Sequence, residues 1–202
     1  MFVAEAASNH HRDIQRASLL IEASARAGFD AVKFQLFSLR DLFTPQILAA
    51  SAKHRERSAW ELPHEFIPEL SAHAREVGLE FSCTPFSLAG VAKLAPHVDF
   101  LKVASYELLW DDLLKECAHT GLPMVLSTGM ATMGEIEQAI DILERRTLTR
   151  ADITVLHCTS EYPAPLKDVN LKAMMTISKA FDVKVGYSDH TEGISIPIAA
   201  VA

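Results

Sequence analysis

Cysteine is scarce in this chain, and what there is does not pair off. Cys83, Cys117 and Cys158 are the only three, widely spaced and without a CxxC pair. That fits free thiols in a reducing compartment better than a disulfide framework or a zinc site. Long apolar runs are also missing. No stretch approaches the roughly 20 residues a membrane span needs, and the opening MFVAEAASNHH has no basic region followed by an apolar one, as a signal peptide would. Positive charge is not in excess either. The formal net charge is −7, whereas a general nucleic-acid binder carries a basic face. An anionic substrate stays open, because a few lysines in a cleft set the local field whatever the total. No GxGxxG follows the first apolar run, which weakens a dinucleotide-binding fold. These absences lead to the expectation of a cytoplasmic protein with no nucleic-acid and no membrane partner.

What is present is a repeated alternation. Short β-branched runs at 3–7, 31–37, 79–84, 100–105, 124–128, 153–159 and 183–188 predict strands. Amphipathic stretches near 13–27, 64–77, 87–95, 110–120, 133–146 and 170–180 predict helices. In the first of these helices Ile14, Ala17, Leu20, Ile21 and Ala25 make one apolar stripe, and Gly28 follows as a C-cap. Such a succession implies a parallel sheet with helices outside it. About seven strands spaced by roughly 25–30 residues suit a (β/α)8 TIM barrel better than a doubly wound sheet. Because that fold needs eight strands, the expectation for 1–202 is one barrel domain, incomplete, without its eighth strand and helix. The stretch 38–62 is long for a βα connection, and predicts a lid or a short helix near 46–53.

In such a barrel catalytic groups stand at strand C-termini and in the loops after them. Alternation in AVKFQLF (31–37) sends Val32, Phe34 and Leu36 toward the helices, and Lys33 and Gln35 inward. In FLKVASYE (100–107) it sends Lys102 inward, with Ser105 and Glu107 at the strand end. Two inward lysines suit a phosphate or carboxylate ligand; the alternative is that Glu5 and Glu107 neutralise them with no ligand. Ser127, Thr128 and Gly129 can hold an anion with hydroxyls and backbone N–H groups, although Ser-Thr-Gly is also ordinary turn chemistry. Thr84 closes the third strand in the same way. His190 beside Asp189, at the seventh strand end, is a candidate metal ligand or acid/base group. Asn9 and His10 belong to the same series of strand ends, or Asn9 caps the next helix.

Taken in order, AEAASNH (4–10), VKFQ (32–35), CTPF (83–86), LKVASYE (101–107), LSTGMAT (126–132), LHCTSEYP (156–163), DVNL (168–171) and GYSDHT (186–191) closely resemble the sialic acid synthase family. That family comprises the N-acetylneuraminate, legionaminate and pseudaminate synthases. The resemblance implies condensation of phosphoenolpyruvate with the open-chain aldehyde of an N-acetylated amino sugar, with release of phosphate. It also implies a divalent metal, Mn2+ or Mg2+, and a homodimer in which an antifreeze-like C-terminal domain completes the protein. Carried over by position, it assigns Lys33, Thr84, Lys102, Ser105, Ser127, Gly129, Met130 and Ser188 to phosphoenolpyruvate, with Gln35 beside them. Glu5 and Tyr162 go to the sugar, Glu107 to acid/base work, and His190 to the metal with Asp189 in support. Two motif positions depart from the family pattern. Tyr106 stands where a glycine is usual, as a bulky aromatic does in pseudaminate-type members, and AAS replaces a glycine-containing first motif. Two other readings use the same residues: a Schiff-base aldolase acting through Lys33 or Lys102, and a non-catalytic anion-binding protein.

Overall fold

Strand and helix alternate along the whole chain in the computed structural model, which describes residues 1–202. The chain divides into two compact units, Met1–Leu101 and Lys102–Ala202. The first holds β1 (Val3–Ala7), α1 (Ile14–Arg26), β2 (Ala31–Leu36), α2 (Leu39–Leu42), α3 (Pro45–Ala50), α4 (Ala52–Glu56), α5 (Ile67–Glu76), β3 (Glu80–Pro85), α6 (Leu88–Leu94) and the start of β4 (Phe100–Val103). The second holds α7 (Asp111–His119), β5 (Met124–Ser127), α8 (Met133–Glu144), β6 (Ile153–Cys158), α9 (Lys172–Phe181), β7 (Lys184–Ser188) and α10 (Ser195–Val201). Every pairing inside a unit is parallel: β1 with β2, β2 with β3 and β3 with β4 in the first, β5 with β6 and β6 with β7 in the second.

Local chemistry accounts for the element ends. Asp13 caps α1 by accepting from the Arg16 N–H, and Ala17 and Ile21 carry its buried face. Gly28, just past the helix, has φ +80°, a conformation a side chain would resist. Thr132 and Glu135 form a reciprocal capping box at the start of α8. Strand β2 is covered on both faces. Val32 and Phe34 are wholly buried and Lys33 is only 6% exposed. The Phe34 ring lies 5.9 Å from that of Phe81 on β3. Burying rings of this size contributes about 2–3 kcal/mol each, so this stretch anchors the register that pairs Lys33 with Glu5 on one side and Ser82 on the other.

The expected strands are found, with ends shifted by a residue or two. The strand expected over 100–105 stops at Val103, because Ser105–Glu107 turn into a 3-10 helix in which the Glu107 N–H donates to the Ala104 carbonyl at 3.0 Å. Ahead of α5, His64–Phe66 form a 3-10 turn, and Pro68 stands in the first turn of the helix, where no N–H is needed. The long connection after β2 folds into α2, α3 and α4 rather than one short helix. Arg12 ties it back to the loop after β1, donating to the Ser58 carbonyl at 3.3 Å and to Glu61 at 3.2 Å. The other Glu61 oxygen accepts from the Leu39 N–H at 2.7 Å.

Candidate functional site

In the first unit the polar strand residues form a ladder. Lys33 donates to Glu5 Oε2 in a close ion pair, and the other Glu5 oxygen accepts from the Ala7 N–H at 3.1 Å. Gln35 and Thr84 are register partners on β2 and β3. Thr84 is buried, and its hydroxyl has no hydrogen-bond partner. Burial pushes the neighbouring Cys83 thiol upward, so it stays protonated. His10 does not stand with the polar strand ends. It is wholly buried, and its ring is 6.2 Å from Phe34, a residue of the helix-facing set. Its Nδ1 accepts from the Arg12 N–H at 2.9 Å, and burial followed by the charges of His11 and Arg12 lowers its pKa to about 4. This is a neutral core histidine.

The second unit assembles its groups with a simple spacing. Ser105, Gly129, Ser160 and His190 each stand two residues beyond the end of β4, β5, β6 and β7 respectively. Ser105 Oγ accepts from the Gly129 N–H at 3.0 Å. A Cβ on Gly129 would lie 2.0 Å from Ser160 Oγ and 3.0 Å from Ser105 Oγ, so the three loops meet where only a glycine fits. The hydroxyls of Ser127 and Ser160 are buried without a hydrogen-bond partner. Unsatisfied buried hydroxyls are costly, and two beside such a glycine mark a place prepared for a polar ligand. Lys102 is 9% exposed. Burial raises the pKa of Glu107 to about 7 against the pull of Lys102, and Glu107 Oε2 is buried with no partner. A carboxyl poised near neutrality can both give and take a proton.

His190 Nδ1 lies 2.7 Å from the Thr159 carbonyl and 3.7 Å from Cys158 Sγ. Only a protonated Nδ1 can serve the carbonyl, which in the neutral ring leaves the lone pair on Nε2. The Tyr162 ring stacks on the imidazole with centroids 3.9 Å apart. Burial opposes charge on both partners, yet the Cys158 thiol is held down by His190, Ser105 and Ser188, and the His190 pKa is held up by Cys158 and the Thr159 carbonyl. Asp189 uses Oδ1 to accept from the Thr191 N–H at 2.9 Å and its hydroxyl at 2.8 Å, which shapes the loop. Met130 is 64% exposed and has φ +67°. Ser160 and Cys158 were not singled out from the sequence. Both lie inside HCTSEYP, but nothing in that string shows that Ser160 closes on Gly129 or that Cys158 faces His190.

A metal site is not complete here. No three His, Cys, Asp or Glu side chains converge on one point. His190 Nδ1 and Asp189 Oδ1 are committed to protein partners, which leaves His190 Nε2 as an open donor, several ligands short of a full coordination set.

Over residues 20–202 the sequence matches the NeuB family. The chain belongs to that family. It is 40% identical to N,N'-diacetyllegionaminic acid synthase of Campylobacter jejuni, a match covering 100% of this chain and 64% of that protein. It is 34% identical to pseudaminic acid synthase of Helicobacter pylori, over 98% of this chain and 61% of that protein. Among solved structures, the N-acetylneuraminic acid (sialic acid) synthetase of Leptospira borgpetersenii superposes with a TM-score of 0.91 at 32% identity, covering 99% of this chain and 68% of that one. This NeuB-family chain thus shares the α/β architecture with parallel strands of its sialic acid synthase relatives, and spans less than two thirds of the two curated relatives. No helix in it is long and apolar enough to cross a membrane.

Proposed function

We propose that this chain carries the condensing chemistry of a sialic-type synthase: phosphoenolpyruvate joins the open-chain aldehyde of an N-acetylated amino sugar, giving a nonulosonic acid and inorganic phosphate. The observation behind this reading is the pair of buried, unpartnered hydroxyls, Ser127 and Ser160, beside the close-packed Gly129. Such donors suit an anion with several oxygens. Lys102, Ser105 and Ser188 complete that anion set, and the resemblance adds Lys33, Thr84 and Met130 to it. The same resemblance places Gln35 beside that set, and gives Glu5 and Tyr162 to the sugar and Asp189 to support of His190.

In this scheme C3 of the enol attacks the aldehyde carbon, forming the new C–C bond. Glu107, near half-protonated at neutral pH, donates its proton to the aldehyde oxygen as negative charge builds there. Water then adds to the cationic C2, one of its protons returning to Glu107; the bond from C2 to the phosphate oxygen then breaks, the remaining C2 hydroxyl becomes the carbonyl, and its proton leaves with the phosphate. Lys102 offsets the charge of the bound anion. Lys33 is engaged in an ion pair with Glu5, an arrangement that favours charge compensation over a Schiff base.

The reading extends to a (β/α)8 barrel, supported by the succession of parallel β/α units, to a cytoplasmic protein, supported by the three free cysteines, and to a homodimer, supported by the resemblance alone. The resemblance alone also supports a divalent cation, manganese or magnesium, with His190 among its ligands. The test is phosphate release on mixing the protein with phosphoenolpyruvate and a panel of N-acetylated amino sugars, with and without manganese. Sugar-dependent release, lost in Ser127→Ala and Glu107→Gln, is the expected result. Phosphoenolpyruvate binding without release under every condition would favour the non-catalytic reading.

A further inference from the structure

Between Ser127 and Gly129 stands a residue whose polar groups are all spent on the protein itself. Thr128 is 5% exposed. Its hydroxyl donates to the Leu156 carbonyl on β6 at 2.9 Å, and its N–H donates to the same oxygen at 3.1 Å. Its own carbonyl accepts from the Ala131 N–H at 3.2 Å, which closes the turn 128–131. Since Ser127 is the register partner of Leu156, Thr128 carries the grip of β5 on β6 one residue past the paired strand. The third residue of the turn is Met130, at φ +67°, a value that a type II turn asks of that position and that glycine ordinarily fills. A methionine stays there where its surroundings impose the conformation. With the turn closed and pinned, the Gly129 N–H donates to Ser105 Oγ, Gly129 lies against Ser160, and the Ser127 hydroxyl is buried with no partner. The three residues of Ser-Thr-Gly are therefore not equivalent: the outer two stand at the anion groups, and the middle one holds the turn.

From this we infer that Thr128 is a positioning residue for the anion site: it touches no ligand, and its hydroxyl pins the turn to β6 so that Ser105, Ser127 and Ser160 meet around Gly129 already placed. The inference rests on the function proposed above. The N–H bond alone leaves the residue free to swing about it. The second bond, from the side chain to the same oxygen, fixes the direction in which the chain leaves β5. Without the hydroxyl the turn loosens, and an incoming anion has to restore the order. That costs about one net hydrogen bond, a factor of about five in affinity.

The experiment compares Thr128→Val, which keeps the shape and removes the hydroxyl, with Thr128→Ser, which keeps the hydroxyl. Phosphoenolpyruvate affinity is measured by calorimetric titration and exchange of the Gly129 amide by NMR, under conditions where urea curves show each protein folded. Thr128→Val is expected to bind about fivefold more weakly and to exchange that amide about fivefold faster, and Thr128→Ser to restore both to within about twofold of wild type. In a Ser105→Ala background, which removes the acceptor of the Gly129 N–H, the affinity penalty of Thr128→Val is expected to shrink to under about twofold. A threonine that serves stability alone would lower the urea midpoint and leave both readouts unchanged. That result, or a Thr128→Ser protein as impaired as Thr128→Val, overturns the inference and leaves the synthase reading intact. If Thr128→Val does not fold, Thr128→Ala takes its place with the same expectations. Failure of the wild-type protein to bind phosphoenolpyruvate overturns both.

Discussion

Replacing Glu107 by glutamine should make the protein more stable, and more so in alkali than in acid. Burial lifts the Glu107 pKa from 4.5 to about 7, with Lys102 acting in the opposite direction. The folded state therefore holds the proton more tightly than the unfolded chain. The resulting penalty is absent well below pH 4.5, grows as pH rises through the interval up to about 7, and is complete above it. Taken at face value, this shift lowers stability by about 2.5 kcal/mol between pH 5 and pH 8. The side chain is only partly enclosed, so solvent screening reduces the expected figure to about 1 kcal/mol. Glutamine preserves the shape and cannot ionise, so Glu107→Gln should gain roughly that amount at pH 8 and little at pH 5. Urea denaturation of both proteins at the two pH values measures the difference directly. An equal effect at pH 5 and pH 8 would refute the assignment of a proton to Glu107 at neutrality, and with it the acid/base role proposed for that carboxyl.

Three further outcomes can be checked. Ala7 sits at φ +47°, beside the bulge between Glu5 and Ala7. Ala7→Gly should relieve strain worth about 1 kcal/mol, offset in part by the greater freedom of glycine in the unfolded chain, so a gain of about 0.5 kcal/mol is expected in thermal unfolding. Gly129→Ala should cost about 1–3 kcal/mol by overpacking and abolish phosphoenolpyruvate binding. Adding Ser160→Ala should recover part of the stability, because the nearest clashing atom is Ser160 Oγ; strict additivity of the two changes in a double-mutant cycle would contradict the contact. Ile194, Ile198 and Val201 are 73%, 62% and 67% exposed, an apolar surface that favours association, so light scattering should show oligomers that diminish in Ile194→Lys with Ile198→Lys.

The order and kind of elements were legible in the amino-acid sequence because they depend on short-range pattern. Alternation over 31–37 separates Val32 and Phe34 from Lys33 whatever the rest of the chain does, and β-branched runs, helical stripes and glycine stops mark their own ends. The inward lysines, the Ser-Thr-Gly turn and the Asp189–His190 pair could be named for the same reason. What the sequence could not disclose depends on the approach of residues distant along the chain. His10 reads like one more polar strand end, but packing against Phe34 buries it as a neutral core residue. Lys33 has its partner in Glu5 only through the β1–β2 register. Ser160 closes on Gly129 across 31 positions, and Glu107 loses solvent at Oε2 because of what surrounds it. Burial, desolvation and close contact are properties of the assembled chain, so the side-chain types came from the sequence and their chemical state from the tertiary structure.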